Sequence, residues 1–169
     1  MMTSTEDKTA AGKLEGKIVY TQVNIHSLKG KIVSWINYQI DSLVPVNTAV
    51  TIDEISGAKV VFTIKETGQT LHLKNKTKHS GMSGLDWANK HLGPSPVKLD
   101  KFTKSDQEAI TLAKAQKGMP KDAVLISLGY PPAHKTPSLD SPTWTYWINK
   151  WNKLAVEFGD NGKVKQVIN

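Results

Sequence analysis

At 169 residues, with 38% hydrophobic and 22% charged content, the chain has the composition of a soluble globular protein of one ordinary domain or two very small ones. Its formal charge of +7 comes from 22 basic residues that are all lysine; arginine is the side chain that forks onto phosphate and guanine edges, so its absence argues against a sequence-specific nucleic-acid protein. Cysteine is absent as well, which excludes a disulfide, a thiolate metal site and a nucleophilic thiol.

Residues 1–16 are polar, with nothing to bury, and are expected to form a disordered leader. From Lys17 to Lys76 the apolar residues recur with period two and many are β-branched. Val19, Thr21, Val23 and Ile25 share one face, and Ile32, Ile36, Tyr38 and Ile40 share another, with Val33 and Trp35 opposite. Further strands are expected over 44–52, 59–64 and 70–73, with turns at Lys29-Gly30, Ser56-Gly57 and Thr67-Gly68. Short strands that are apolar on both faces point to a small closed or semi-closed barrel over 17–76.

Residues 77–102 are rich in Gly, Ser, Pro and Lys and form a linker, with one short helix carrying Leu85, Trp87, Ala88 and Leu92 and started by Ser83 with Asp86 three residues on. A stronger helix opens at Thr103. Asp106 and Glu108 lie in its first turns, Lys114 and Lys117 in its last, and Gly118 is its stop; Ile110, Leu112 and Ala113 supply its apolar stripe, and Phe102 its staple. A second helix starts at Pro120, carries Ala123, Val124 and Leu128 at helical spacing, and closes at Gly129 and Pro131. Strands then follow from the alternation of Trp144, Tyr146 and Ile148 and of Leu154, Val156 and Phe158, with a tight turn at Asp160-Asn161-Gly162.

That order of Gly-Met, short helix, Leu-Gly-x-Pro, Trp-x-Tyr, Val-x-Phe and Asn-Gly-x-Val over residues 103–169 resembles the SmpA/OmlA (BamE-like) family of small bacterial envelope lipoproteins. The N-terminal part is weakly similar to a bacterial SH3-like barrel. The resemblance implies an α+β chain: a small SH3-like β-barrel over 17–76 followed by a BamE-like ααβββ two-layer domain over 103–169. It also implies a non-catalytic binding or scaffold module linked to outer-membrane assembly or maintenance. Such proteins are exported and anchored through an N-terminal lipid-bearing cysteine, whereas this sequence begins with two methionines and has no cysteine. The expectation is therefore an envelope or periplasmic location with signal and cysteine removed, and a cytoplasmic one otherwise. The alternative is a secreted or soluble inhibitor using the outer face of the ααβββ sheet, since that fold also resembles the repeat of β-lactamase-inhibitory proteins.

No catalytic constellation stands out. Ser80, Ser83 and Ser127 lie outside any G-x-S-x-G elbow, the carboxylates of Asp53 and Glu54 point apart on an extended strand, and no phosphate-binding glycine loop occurs. His26, His72, His79, His91 and His134 show no metal-ligand spacing, so neither metal nor cofactor is expected. The aromatic run from Trp144 to Trp151 is what asks for a functional explanation. Trp144 and Tyr146 are expected in the core, leaving Trp147 and Trp151 on the sheet's outer face with Val167, rimmed by Lys150, Lys153, Lys163 and Lys165. That face is a patch for another envelope protein, an anchor at an anionic membrane surface, or the seam against the N-terminal barrel. The Pro-rich loop from Tyr130 to Pro142 is the second candidate recognition element, through Tyr130 and His134.

Overall fold

The structure is a computed structural model that describes residues 13–169. The expected leader lies outside the described residues over 1–12. Residues 13 and 14 are helical and residues 15 and 16 form a turn, tied to the body by the Gly16 N–H donating to the Ile52 carbonyl at 2.7 Å, with Leu14 against the N-terminal core.

Over residues 17–169 the fold is mixed α+β with a partly curled six-stranded sheet and four helices. In chain order the strands are β1 (Ile18–Thr21), β2 (Ile25–Ser27), β3 (Ile32–Ser34), β4 (Ser42–Val44), β5 (Ala49–Ser56), β6 (Lys59–Ile64), β7 (Thr70–Lys74), β8 (Leu92–Gly93), β9 (Thr143–Trp147), β10 (Lys153–Phe158) and β11 (Val164–Ile168). The helices are α1 (Thr77–Ser80) and α2 (Gly84–His91), both before β8, and α3 (Lys104–Thr111) and α4 (Lys121–Leu128), both after it. The large sheet runs β3-β7-β6-β5-β1-β8, with β3 parallel to β7 and every other pairing antiparallel; β2 pairs with β4, and β9, β10 and β11 form a separate meander.

Alternation builds the first core. Val50, Ile52 and Ile55 of β5 turn inward across a register shift between Ile52 and Glu54, and they meet Val60, Phe62 and Leu71. Helix α2 belongs to this core and does not bridge two bodies. Its capping box is formed, with Asp86 N–H on Ser83 Oγ at 3.1 Å and Ser83 N–H on Asp86 Oδ2 at 3.0 Å. It presents Leu85, Trp87 and Ala88 to the sheet, with Trp87 stacked on Phe62 at 5.9 Å. Gly84 permits the close approach, because a Cβ there would lie 2.6 Å from the Lys59 carbonyl.

The second core places α3 and α4 against the meander, around Ile110, Met119, Val124, Leu128, Trp144, Tyr146 and Val156. Thr103 caps α3 as expected, its hydroxyl accepting from Asp106 N–H at 3.0 Å. The helix then stops at Thr111, well before the expected Gly118. Ala113 takes a left-handed φ of 54°, and the Ala113 and Lys114 N–H groups return to the Ile110 and Ala109 carbonyls at 3.0 and 2.9 Å. This is a Schellman ending with alanine where glycine is usual, and it leaves Leu112 63% exposed, outside the stripe assigned to it.

The two cores are stitched by amides. Asn24, 2% exposed, donates its carboxamide N–H groups to the Ile110 and Ser127 carbonyls at 2.7 and 3.1 Å, accepts from Val46 N–H at 2.8 Å, and sends its own backbone N–H to Ile126. Asn37 donates to the Leu128 and Tyr130 carbonyls, Gln39 to the Leu128 and Trp147 carbonyls, and Asn47 exchanges two bonds with Val97. The Ile126, Ser127 and Leu128 carbonyls that end α4 are thus satisfied from the N-terminal half, the first by the Asn24 backbone N–H and the others by the Asn24, Asn37 and Gln39 side chains. Val46 packs on the second core and Tyr130 on the first, so no clean division into barrel and ααβββ domain is evident.

Candidate functional site

Where the halves meet, the loop after α4 folds back to wall a cleft of about 230 Å³. The loop is held along its length: Thr136 N–H bonds the Pro132 carbonyl, the Thr136 hydroxyl accepts from Thr145 N–H at 2.9 Å, and the Trp144 indole N–H donates to the Leu139 carbonyl at 3.1 Å. Pro131, Pro132 and Thr136 are buried, so this segment is a packed wall. The opposite side comes from Ile25, Val33 and Trp35 of the N-terminal half, and Trp87, Lys90 and His91 of α2 complete it.

His91 is 8% exposed. Its ring lies 4.2 Å from the Trp87 ring, nearly parallel, and 5.2 Å from the Tyr130 ring. His91 Nδ1 is 2.8 Å from the Trp87 carbonyl, which assigns the proton to Nδ1 and leaves Nε2 a lone-pair acceptor with no bond among the described residues. Burial drives its pKa down to about 4, partly offset by the bond to Trp87 and reinforced by Lys90, so the imidazole is neutral near pH 7. Lys90 stands 5.3 Å over the Tyr130 ring, and burial raises the Tyr130 phenol. Among the described residues no carboxylate lines the cleft; the Ser80 hydroxyl bonds its own turn at Met82, and Ser34 Oγ accepts from the Ile36 N–H.

The residues singled out in the sequence separate into three places. Tyr130 is in the cleft. His134 is exposed beside it, edge-on to Trp35 at 5.6 Å and parallel to Trp147 at 6.3 Å; burial and Lys135 lower its pKa. Trp147 is half-buried at this junction with Lys153 and Lys135 over its ring at 5.0 and 5.9 Å, and its indole N–H is buried without a partner. Trp151 is elsewhere. It sits in the β9–β10 turn, 84% exposed beside Lys150, with Asn149 Oδ1 accepting from the Trp151 and Asn152 N–H groups.

Val167 does not join an outer tryptophan face. A register shift between Glu157 and Phe158 inserts Lys165, so Val167 pairs with Val156 and packs against the second core. Trp35, Trp87 and His91 were not legible as site residues. Their only local signal is the four-residue spacing of Trp87 and His91 on one face of α2.

Comparison with protein-family models, with curated proteins and with solved structures finds no match. The expectation of a lipoprotein, and of an envelope location through a lipid-bearing cysteine, is overturned: none of the 169 residues is cysteine, and the anchoring bond needs a cysteine sulfur. Among the described residues no cluster of His, Asp or Glu is arranged to hold a metal ion.

Proposed function

We propose that the chain is a non-catalytic binding module and that the cleft at its seam is the binding site. The observation that carries this is the cleft's make-up: an apolar, ring-walled hollow with a buried neutral imidazole and, among the described residues, no carboxylate. Pre-formed apolar clefts with few convergent polar groups bind small ligands, whereas acid–base or covalent chemistry needs paired groups. The order α3, α4, β9, β10, β11 is the one that the resemblance to the SmpA/OmlA domain implies, and an element order bears on fold and not on role.

The test is a screen of single-ring fragments against isotope-labelled protein. Amide and indole shifts are expected to cluster at Trp35, Trp87, His91 and Tyr130, with every fragment recovered unchanged. Shifts scattered away from the cleft, or turnover of a fragment, count against the reading. A second reading, a soluble inhibitor gripping a partner through the meander, draws its support from Trp151 and its lysine neighbours. Loss of partner capture by Trp151→Ala with unchanged fragment binding favours it.

A further inference from the structure

Resting on the cleft reading above, we infer that the ligand is a small aromatic acid: one planar ring carrying a carboxylate and a hydroxyl or N–H donor. Size comes first. An apolar cavity of about 150 Å³ holds a benzene ring, so about 230 Å³ admits one ring with short substituents and excludes a nucleotide. Shape agrees, since Trp35 and Tyr130 bring flat aromatic rings to the lining and Pro131 and Pro132 add apolar ones.

Charge sets the polarity. Lys90 is the cation at the cleft, no carboxylate side chain lines it, and Lys90 forms no ion pair among the described residues. Its helical neighbour Asp86 is engaged in capping Ser83. A cationic ligand would meet Lys90 head on, whereas a carboxylate completes it. Beside it His91 holds its proton on Nδ1 and keeps Nε2 as an acceptor, so the ligand must donate there. The Lys90 ammonium and the His91 ring lie 5.3 and 5.2 Å from the same Tyr130 ring centre, so both groups adjoin one ring at the cleft.

The experiment is a calorimetric and NMR titration of the full chain with 4-hydroxyphenylacetate, p-cresol, tyramine and N-acetyl-glycyl-tyrosine. The acid is expected to shift Trp35, Trp87, His91 and Tyr130, to bind at least tenfold tighter than p-cresol or tyramine, and to weaken about fivefold or more in Lys90→Gln, an exposed substitution that leaves the fold intact. Tighter binding of the dipeptide at the same residues supports the same chemistry and assigns it to the carboxyl end of a peptide; weaker binding assigns it to the free acid. Equal or tighter binding of p-cresol or tyramine at the cleft, or an unchanged Lys90→Gln, overturns the acid inference and leaves the cleft reading standing. Cleft residues unmoved by all four probes sink both.

Discussion

Replacing Asn24 by alanine isolates the seam, because three of its four hydrogen bonds belong to the side chain and all cross between the halves or fix the approach to them. The Ile110 carbonyl keeps the Ala113 N–H, so its loss is small. The buried Ser127 carbonyl loses its Asn24 partner at about 1–3 kcal/mol, and the half-buried Val46 N–H loses its own at up to about 1 kcal/mol because water can reach it. The total is about 1–4 kcal/mol, a substantial part of the roughly 5–15 kcal/mol that holds a native domain. Urea unfolding followed in parallel by tryptophan fluorescence and far-ultraviolet circular dichroism measures it. Coincident single transitions are expected for both proteins, with the variant's midpoint lowered and its slope unchanged. A loss below about 1 kcal/mol, or a wild-type protein whose halves unfold in two separate steps, refutes the argument that amides weld the cores.

Acid should destabilise the protein through His91. A buried imidazole with pKa about 4 stays unprotonated while the unfolded chain takes up its proton near 6.5, so its contribution is complete above pH 6.5 and is lost as pH falls toward 4, by roughly 3 kcal/mol in all. His26 and His134 shift in the same direction, so the His91 part is the difference between the pH–stability curves of wild type and His91→Gln. Trp144→Ala, at a site 2% exposed, should lower the unfolding free energy by about 3–5 kcal/mol, while Trp151→Ala, at a site 84% exposed, should change it by less than about 0.5 kcal/mol in the same urea assay. Ala113→Gly should raise the thermal midpoint, corresponding to roughly 0.5–1 kcal/mol, because glycine removes the left-handed penalty at φ 54° and returns part of it as unfolded-state entropy.

What was legible in the sequence was local. Ser83 with Asp86 and Thr103 with Asp106 announce helix starts because a hydroxyl can reach an N–H three residues ahead, and both bonds are present. Trp144 and Tyr146 fall inward because strand side chains alternate. The failures share a cause, which is that distant or irregular geometry decided them. Alanine at the left-handed position ended α3 early, one inserted residue turned Val167 inward, and Asn149 folded Trp151 into a turn. The seam was invisible for the same reason. Asn24, Asn37 and Gln39 are ordinary polar residues in a β-rich stretch, and the carbonyls that their carboxamide N–H groups reach across the seam lie 86 to 103 residues away. The cleft inherits that illegibility: Trp87 and His91 are neighbours on one helix, but Tyr130 and the proline wall reach them only through the amide seam.

A crystal of the full chain soaked with single-ring fragments tests the binding-cleft claim most directly. The account predicts ligand density between Trp35, Trp87 and Tyr130, with a donor atom on His91 Nε2. Fragment density confined to the surface around Trp151, with the cleft filled by nothing but solvent, would contradict it.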